Sequence, residues 1–243
     1  AVVLARQAVD EARALGHPVT ICIALIWAVS VYLWVGDLEL AERDIDSFIA
    51  YAESHSLTPY LAVGRGVKGE LALRSGDPAR GVAAIERCLV ELHELRYELL
   101  TTAFNLTLAE GLSLIGRIGE AVALLDQTLA HVHANGDLYN LPELLRVKAR
   151  ALSGDPVQAE QCLRESLDWS RRQGARGWEL RTAMDMARLW RASGRNGQGR
   201  ALLQDVLAGY DEGFGTADLR EASALLASLD EPESEPRRAA NNA

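Results

Sequence analysis

Glycines that close apolar segments recur along this chain on a fixed count. Gly36, Gly76, Gly116, Gly154 and Gly194 are separated by 40, 40, 38 and 40 residues. A second series runs between them, at Gly16, Ser56, Arg96, Gly136 and Gly174, spaced 40, 40, 40 and 38. A period of this size restricts the chain to a repeat architecture, in which each unit buries its apolar face only by stacking on a neighbour. Successive marks leave room for a helix of about four turns. Apolar residues inside these segments fall three and four apart, as in Ile118, Val122, Leu125, Leu129 and Val132, or Val82, Ile85, Leu89 and Leu92. No stretch alternates with period two, so no strands are expected.

The residues at the marks explain the turns. Gly76 is expected to end one helix in the left-handed conformation, Asp77 to cap the next and Pro78 to open it. Gly154-Asp155-Pro156 reads as the same hinge, and Gly36-Asp37 and Gly116-Arg117 as that hinge without proline. Pro18, Pro59, Pro78, Pro142 and Pro156 all fall in a proposed first turn, where a missing N–H costs little. The Gly-Asp-Pro runs are therefore punctuation and not phosphate loops.

Charge and cysteine content narrow the function. The formal net charge is -9, which argues against nucleic acid as the partner of this chain, because phosphate contacts need a basic face. Cys22, Cys88 and Cys162 form no Cys-x-x-Cys pair, so reduced thiols in a cytoplasmic protein are expected. The N-terminus reads as an amphipathic helix and not as a signal peptide. Residues 19–35, "VTICIALIWAVSVYLWV", carry no charge. The length is at the short end of a membrane span. No basic cluster flanks the segment and Gly36-Asp37 ends it in register. It is therefore expected to be a helix buried on nearly all sides, packed between the N-terminal helix and helix 38–55, with no membrane involved. Exposure of Ile26, Val29 and Leu33 would mark the docking place of an upstream repeat.

A helical hairpin with a small residue midway along its first helix, Gly-Asp at the turn and Ala early in the second helix resembles the tetratricopeptide repeat. The small positions are Val29, Gly69, Ala109 and Ala187 in the first helices, and Ala41, Gly81, Ala121, Ala159 and Gly199 in the second. The fourth repeat is two residues short, which moves its small residue to Ala149. The period exceeds the usual ~34 residues, so longer helices are expected. Residues 171–229, through "WELRTAMDMARLW" and "EGFGTADLREA", are similar to the C-terminal end of large bacterial signalling proteins. Those place an adenylate-cyclase-like or winged-helix head and a nucleotide-binding switch ATPase before tetratricopeptide repeats. Gly199 and Gly215 depart from the Ala and Asp expected there. No Gly-x-x-x-x-Gly-Lys-Ser/Thr occurs. The first helix, residues 2–15, reads as a second helix lacking its partner, so the sequence is read as a fragment.

Other chemistry is weaker. "GRGVKG", Gly64–Gly69, matches Gly-x-Gly-x-x-Gly but sits on a helix with no strand before it, so close helix packing is the better reading. Helix-interior glycines cost about 1 kcal/mol against alanine, so helix 58–75 is expected to be locally weak. "GRNGQG", Gly194–Gly199, follows a helix and lacks the lysine of a phosphate loop. His93 and His133 stand one period apart with no third ligand in register. They read as helix C-terminal residues favoured by the dipole. No nucleophile-base or paired-carboxylate spacing suggests an enzyme. Neither a metal nor a cofactor is implied. Residues 164–200 carry nine arginines against four acids, which is either a set of solvated faces or an anion-facing surface.

The expected fold is all-α, a right-handed superhelix (α-solenoid) of tetratricopeptide-like helical hairpins with a period near 40. It comprises a lone helix, five hairpins and a capping helix near 216–229, over residues 1–229, with a disordered tail at 230–243. Trp190 is expected to be buried near Leu203. The expected function is a non-enzymatic interaction or regulatory module of a bacterial signalling or transcription regulator. Its partner is a protein or peptide, including other domains of its own full-length chain. The alternative is a small-molecule effector in the groove controlling an attached head. In tetratricopeptide arrays the residue after the small position of each first helix faces the groove. The resemblance thus assigns Ser30, Glu70, Glu110, Arg150 and Arg188 to it, joined by Arg74, Asn105, Arg146 and Arg191. Such a groove is acidic in its middle and basic towards its C-terminal end, and suits an extended segment with a carboxylate-bearing end held by arginine forks.

Overall fold

A computed structural model describes residues 1–229; the expected tail at 230–243 lies outside the described residues. Twelve helices and no strand are found among the described residues. They are α1 (Val2–Leu15), α2 (Pro18–Val35), α3 (Leu38–Ser54), α4 (Thr58–Arg74), α5 (Pro78–Glu94) and α6 (Thr101–Leu114). There follow α7 (Ile118–Asn135), α8 (Leu141–Ala151), α9 (Pro156–Gln173), α10 (Arg176–Ala192), α11 (Asn196–Ala208) and α12 (Ala217–Ser228). A lone helix, five hairpins and a last helix are the elements that the period of forty demands.

Backbone geometry repeats with that period. Gly36, Gly76, Gly116 and Gly194 take φ of 80, 90, 82 and 72°, and the second series, Gly16, Ser56, Arg96, Gly136 and Gly174, is left-handed throughout. Ser56 and Arg96 adopt φ of 53° although neither is glycine. The turn geometry overrides the side-chain preference there, at a steric cost. Each hinge carries one further bond. The N–H after the glycine reaches back to the carbonyl of Tyr32, Ala72, Leu112 or Trp190 at 2.8–2.9 Å. This is the long bond of a Schellman turn.

The hinge at Gly154 differs from expectation. Helix α8 stops at Ala151, and Gly154 does not take a left-handed φ. The two missing residues are the reason. Asp155 N–H bonds the carbonyl of Leu152 at 2.8 Å. Leu152 lies three residues after Ala149, as Tyr32 lies three after Val29. The same carbonyl is thus satisfied through a tighter loop that needs no left-handed residue. The capping half of the motif is retained, because Asp37, Asp77 and Asp155 accept from Leu40, Arg80 and Gln158 N–H at 3.2, 3.1 and 3.1 Å. Each such cap is worth about 1 kcal/mol.

The chain divides into two compact units, Ala1–Trp169 and Ser170 onward. In the first, each helix from α1 to α7 packs on its successor, and consecutive first helices α2, α4, α6 and α8 also touch. The second helices α3, α5 and α7 do not pack closely on one another. The first helices are therefore the inner layer of this unit. Close approach within hairpins is set by the small residues. A Cβ on Gly81 would lie 2.8 Å from the Gly69 carbonyl, and one on Gly69 only 2.9 Å from Ala84 Cβ. Gly64 and Gly66 do the same towards Ile49 and towards Cys88 and Phe104. The "GRGVKG" glycines of α4 thus lie against side chains of α3, α5 and α6 at distances that leave no room for a Cβ. In the second unit α10, α11 and α12 pack mutually. There Trp190 and Leu203 are buried, and a Cβ on Gly199 would meet Ala187 at 3.1–3.2 Å.

Helix α2 has a mean hydropathy of 2.1 and is long and apolar enough to cross a membrane. Here it packs on α1, α3 and α4. Its burial departs from expectation in one respect. Ile26, Val29 and Leu33 are buried, whereas Ile23, Trp27 and Trp34 are 40, 47 and 44% exposed. The exposed residues form one stripe at helical spacing, so the helix is not enclosed on all sides.

Candidate functional site

The inner face of the first unit is built from α2, α4, α6 and α8. Its residues come from fixed places after or before the small packing position, so they line up from helix to helix. On α2 these places are held by Ser30 and Trp34, and Ile23 and Trp27 are exposed beside them. The Ser30 hydroxyl donates to the Ile26 carbonyl of its own helix at 2.9 Å, as mid-helix serines commonly do. On α4, Glu70 pairs with Arg74 at 2.8 Å, their side chains 16 and 32% exposed. On α6, Asn105 and Glu110 are half-buried.

Helix α8 supplies a denser arrangement. Glu143 and Arg146 are both buried, and the guanidinium grips the carboxylate as a fork, Nε to Oε2 at 2.8 Å and Nη2 to Oε1 at 2.7 Å. Arg146 Nη2 also donates to Glu110 of α6 at 3.4 Å. Arg150 lies 4.0 Å from the same Glu110 and keeps a side chain that is 56% exposed. Burial pushes the Glu110 carboxyl above the usual carboxylate range; Arg146 opposes this most, with Arg74 and Arg150 adding, while Glu143 raises it further. The first unit therefore brings Glu70, Arg74, Glu110, Arg146 and Arg150 onto one face, together with Glu143. Acids and arginines alternate across helices there and largely neutralise one another. Arg146 is a buried structural cation and not a free guanidinium; Arg150 is the accessible one.

Arg188 and Arg191 belong to the second unit. Arg188 pairs with Asp185 at 2.9 Å and with Glu221 of α12 at 2.5 Å, and Arg191 donates to Ser228 Oγ at 3.1 Å. Both tie α10 to α12. The arginine excess of residues 164–200 is thus partly spent within this unit: Arg171 pairs with Glu179 at 2.7 Å, and Arg181 with Asp218 at 2.7 Å.

His93 pairs with Glu98 at 3.0 Å beyond the end of α5. Among the described residues no group of three His, Cys, Asp or Glu side chains could hold a metal ion. Burial pushes the Cys22 thiol up to about 11 and the Cys88 thiol up to about 12, so neither is a nucleophile at neutral pH.

No protein-family model and no curated protein matches the chain. Solved structures do. BtubC (BKLC) from P. vanneervenii is similar over 100% of this chain and 96% of its own, at 15% identity and a TM-score of 0.61. A putative kinesin light chain from Podosopora anserina, described by its nearly identical TPR-like repeats, is similar over 79% of this chain and 95% of its own, at 18% identity and a TM-score of 0.54. The apo form of the quorum sensor NprR from B. thuringiensis is similar over 86% of this chain and 59% of its own, at 14% identity and a TM-score of 0.60. The fold is a tetratricopeptide-like array of helical hairpins.

In this array, sequence reasoning overlooked the exposed stripe on α2. A register signal was present. Trp27 stands where the next three repeats carry Val67, Thr107 and Val147, all buried. The large ring at the end of the stack has no preceding first helix over it among the described residues. Glu143 was also overlooked, because a carboxylate on a first helix reads as solvated until its arginine is seen to fold over it.

Proposed function

We propose that the chain is a protein-interaction module of a larger regulator, taking an extended partner segment along the inner face of its first unit. The observation that carries this reading is the row of side chains on α2, α4, α6 and α8: Ser30 and Trp34, with the exposed Ile23 and Trp27 beside them, then charged from Glu70 to Arg150. A partner segment that enters with apolar side chains on the tryptophans and ends with a carboxylate at Arg150 matches both halves of that row. Exposed aromatics supply area at low entropic cost, and an accessible guanidinium holds a carboxylate with two parallel bonds. The likeness of residues 171–229 to the C-terminal repeats of bacterial signalling proteins supports a regulatory setting, with a cyclase-like or DNA-binding head as the output. A small-molecule effector acting through the same face is the second reading. It is favoured by the likeness in fold to a protein described as a quorum sensor.

Display selection against the immobilised chain, followed by titration of the selected peptide, tests the reading. Arg150→Glu is expected to weaken binding about tenfold or more, as loss of a charge-assisted pair with added repulsion demands. Trp27→Ala is expected to weaken it comparably, and Arg188→Glu to matter only if the peptide reaches the second unit. Binding that survives Arg150→Glu and Trp27→Ala at moderate salt would remove the inner face as the site.

A further inference from the structure

On the opposite side of the first hairpin, α1, α2 and α3 line a half-open cavity of about 450 Å³. It is lined by three guanidiniums, Arg6, Arg13 and Arg43, by the carboxylates of Asp10 and Asp44, and by Val9, Tyr32 and Ser47, so the arginines outnumber the acids by one. Tyr32 is fully buried, and its hydroxyl has no partner at full hydrogen-bond geometry among the described residues, with Arg6 drawing near it as a weak donor. Asp44 is buried as well and is held by Arg43 Nε at 2.9 Å. Arg6 and Arg13 enter no ion pair among the described residues. Orphaned buried hydroxyls cost stability and call for an explanation.

Repeat register supplies that explanation. In the other hairpins the place of Tyr32 is taken by Ala72, Leu112, Leu152 and Trp190, and the place of Asp44 by Ala84, Leu124, Cys162 and Leu202. Packing at these places needs no hydroxyl and no carboxylate. The place of Arg6 is acidic in the next three second helices, as Asp46, Glu86 and Asp126. Those acids meet Lys68, Arg117 and Lys148 at 2.6, 3.2 and 2.6 Å. Arg43 stands where the other hairpins carry Ala83, Ala123, Gln161 and Ala201. Tyr32, Arg43 and Asp44 thus set the first hairpin apart from the others, and with Arg6 of α1, whose place is basic again at Arg164 of α9, they line one cavity. Burial, with Asp44 next, holds the Tyr32 hydroxyl above its ordinary pKa against the opposing pull of Arg6 and Arg43, which keeps it a neutral donor in need of an acceptor.

We infer that this cavity binds a small hydroxylated oxyanion, an organic phosphate or carboxylate, with its anionic group among Arg6, Arg13 and Arg43 and its hydroxyls on Asp44, Ser47 and Tyr32. The cavity is within the size range of small-molecule sites and too large for a bare inorganic ion. Guanidiniums suit either oxyanion, and a buried carboxylate beside them requires donors that a hydroxylated ligand brings. The site is on the face away from the proposed peptide row and stands or falls independently of it.

Calorimetric titration of the full chain with glycerol 3-phosphate and, separately, with glycerate tests the proposal and distinguishes the two sources of anion; glycerol alone is the control. Saturable millimolar binding of at least one of the two, without binding of glycerol, is expected. The double variant Arg6→Gln/Arg13→Gln is expected to weaken it about tenfold or more. Tyr32→Phe is expected to weaken it several-fold while raising the thermal midpoint of the ligand-free protein, because a buried orphan donor is removed. Absence of saturable binding of both probes overturns the site, as does binding unchanged in both variants. A Tyr32→Phe protein with a lowered ligand-free midpoint also overturns it, since the hydroxyl would then already be satisfied within the fold.

Discussion

Helices α2 and α8 occupy equivalent places in their repeats and solve them with opposite chemistry. Where α2 sets Ile23 and Ile26, α8 sets Glu143 and Arg146. Ile26, Glu143 and Arg146 are all buried, whereas Ile23 is 40% exposed. The repeat thus dictates where a side chain stands and leaves open what it is. Within the array, α8 is covered by α6, whose Glu110 gives Arg146 a second partner. Among the described residues no first helix precedes α2, and its stripe of Ile23, Trp27 and Trp34 is exposed there. A buried ion pair and an exposed aromatic stripe are therefore two outcomes of one register.

The largest expected effect comes from breaking the α8 solution on one side. Arg146→Ala leaves Glu143 buried without its fork, and such losses cost about 3–5 kcal/mol. Making α8 resemble α2, with Glu143→Ile and Arg146→Ile together, is expected to cost far less than the single change, because no charge is left stranded. Chemical denaturation of both variants decides it; a double variant no more stable than Arg146→Ala would show that the pair is valued for more than mutual compensation.

Next in size is the hairpin contact itself. The first hairpin places Val29 and Ala41 at the small positions; α4 and α5 place Gly69 and Gly81 there. Gly81→Ala would set a Cβ 2.8 Å from a backbone oxygen, which no side-chain rotation relieves. Overpacking of this kind costs about 1–3 kcal/mol, more than the ~1 kcal/mol that helix propensity returns. A Gly81→Ala protein of unchanged or raised midpoint would show that the second hairpin has the room of the first.

Glu110 gives a smaller, pH-dependent effect. Its folded pKa is raised above the ordinary 4.5. The folded state therefore binds more protons than the unfolded one between those two values. That contribution to stability is full below the unfolded pKa and lost as pH rises through the folded one. Stability curves of Glu110→Gln and the parent protein are expected to converge at high pH less than at low pH, the parent losing ground as pH rises across the window. Parallel curves would remove burial as the dominant influence on this carboxyl.

The smallest stability effect belongs to the exposed stripe. Trp27→Ser, at a position 47% exposed, is expected to change the unfolding free energy by under about 0.5 kcal/mol. A loss several times larger would mean that the ring is covered in solution.

Much of this was legible from residues alone, because its causes are local. A left-handed residue between helices, an aspartate before a first turn and a proline opening it act within a few bonds of one another. Their recurrence every forty residues therefore named the helices, the hinges and the small pairs Gly69 with Gly81 and Ala187 with Gly199. The tertiary structure decided what depends on distant coverage. It closed the Gly154 hinge without a left-handed glycine, buried Arg146 against Glu143 and Glu110, and turned Trp27 and Trp34 outward. It also gathered Arg6, Tyr32, Arg43 and Asp44 around one cavity. Periodicity states which side of a helix is apolar, but burial is set by the neighbour that packs on it, and that neighbour is known only once the chain has folded.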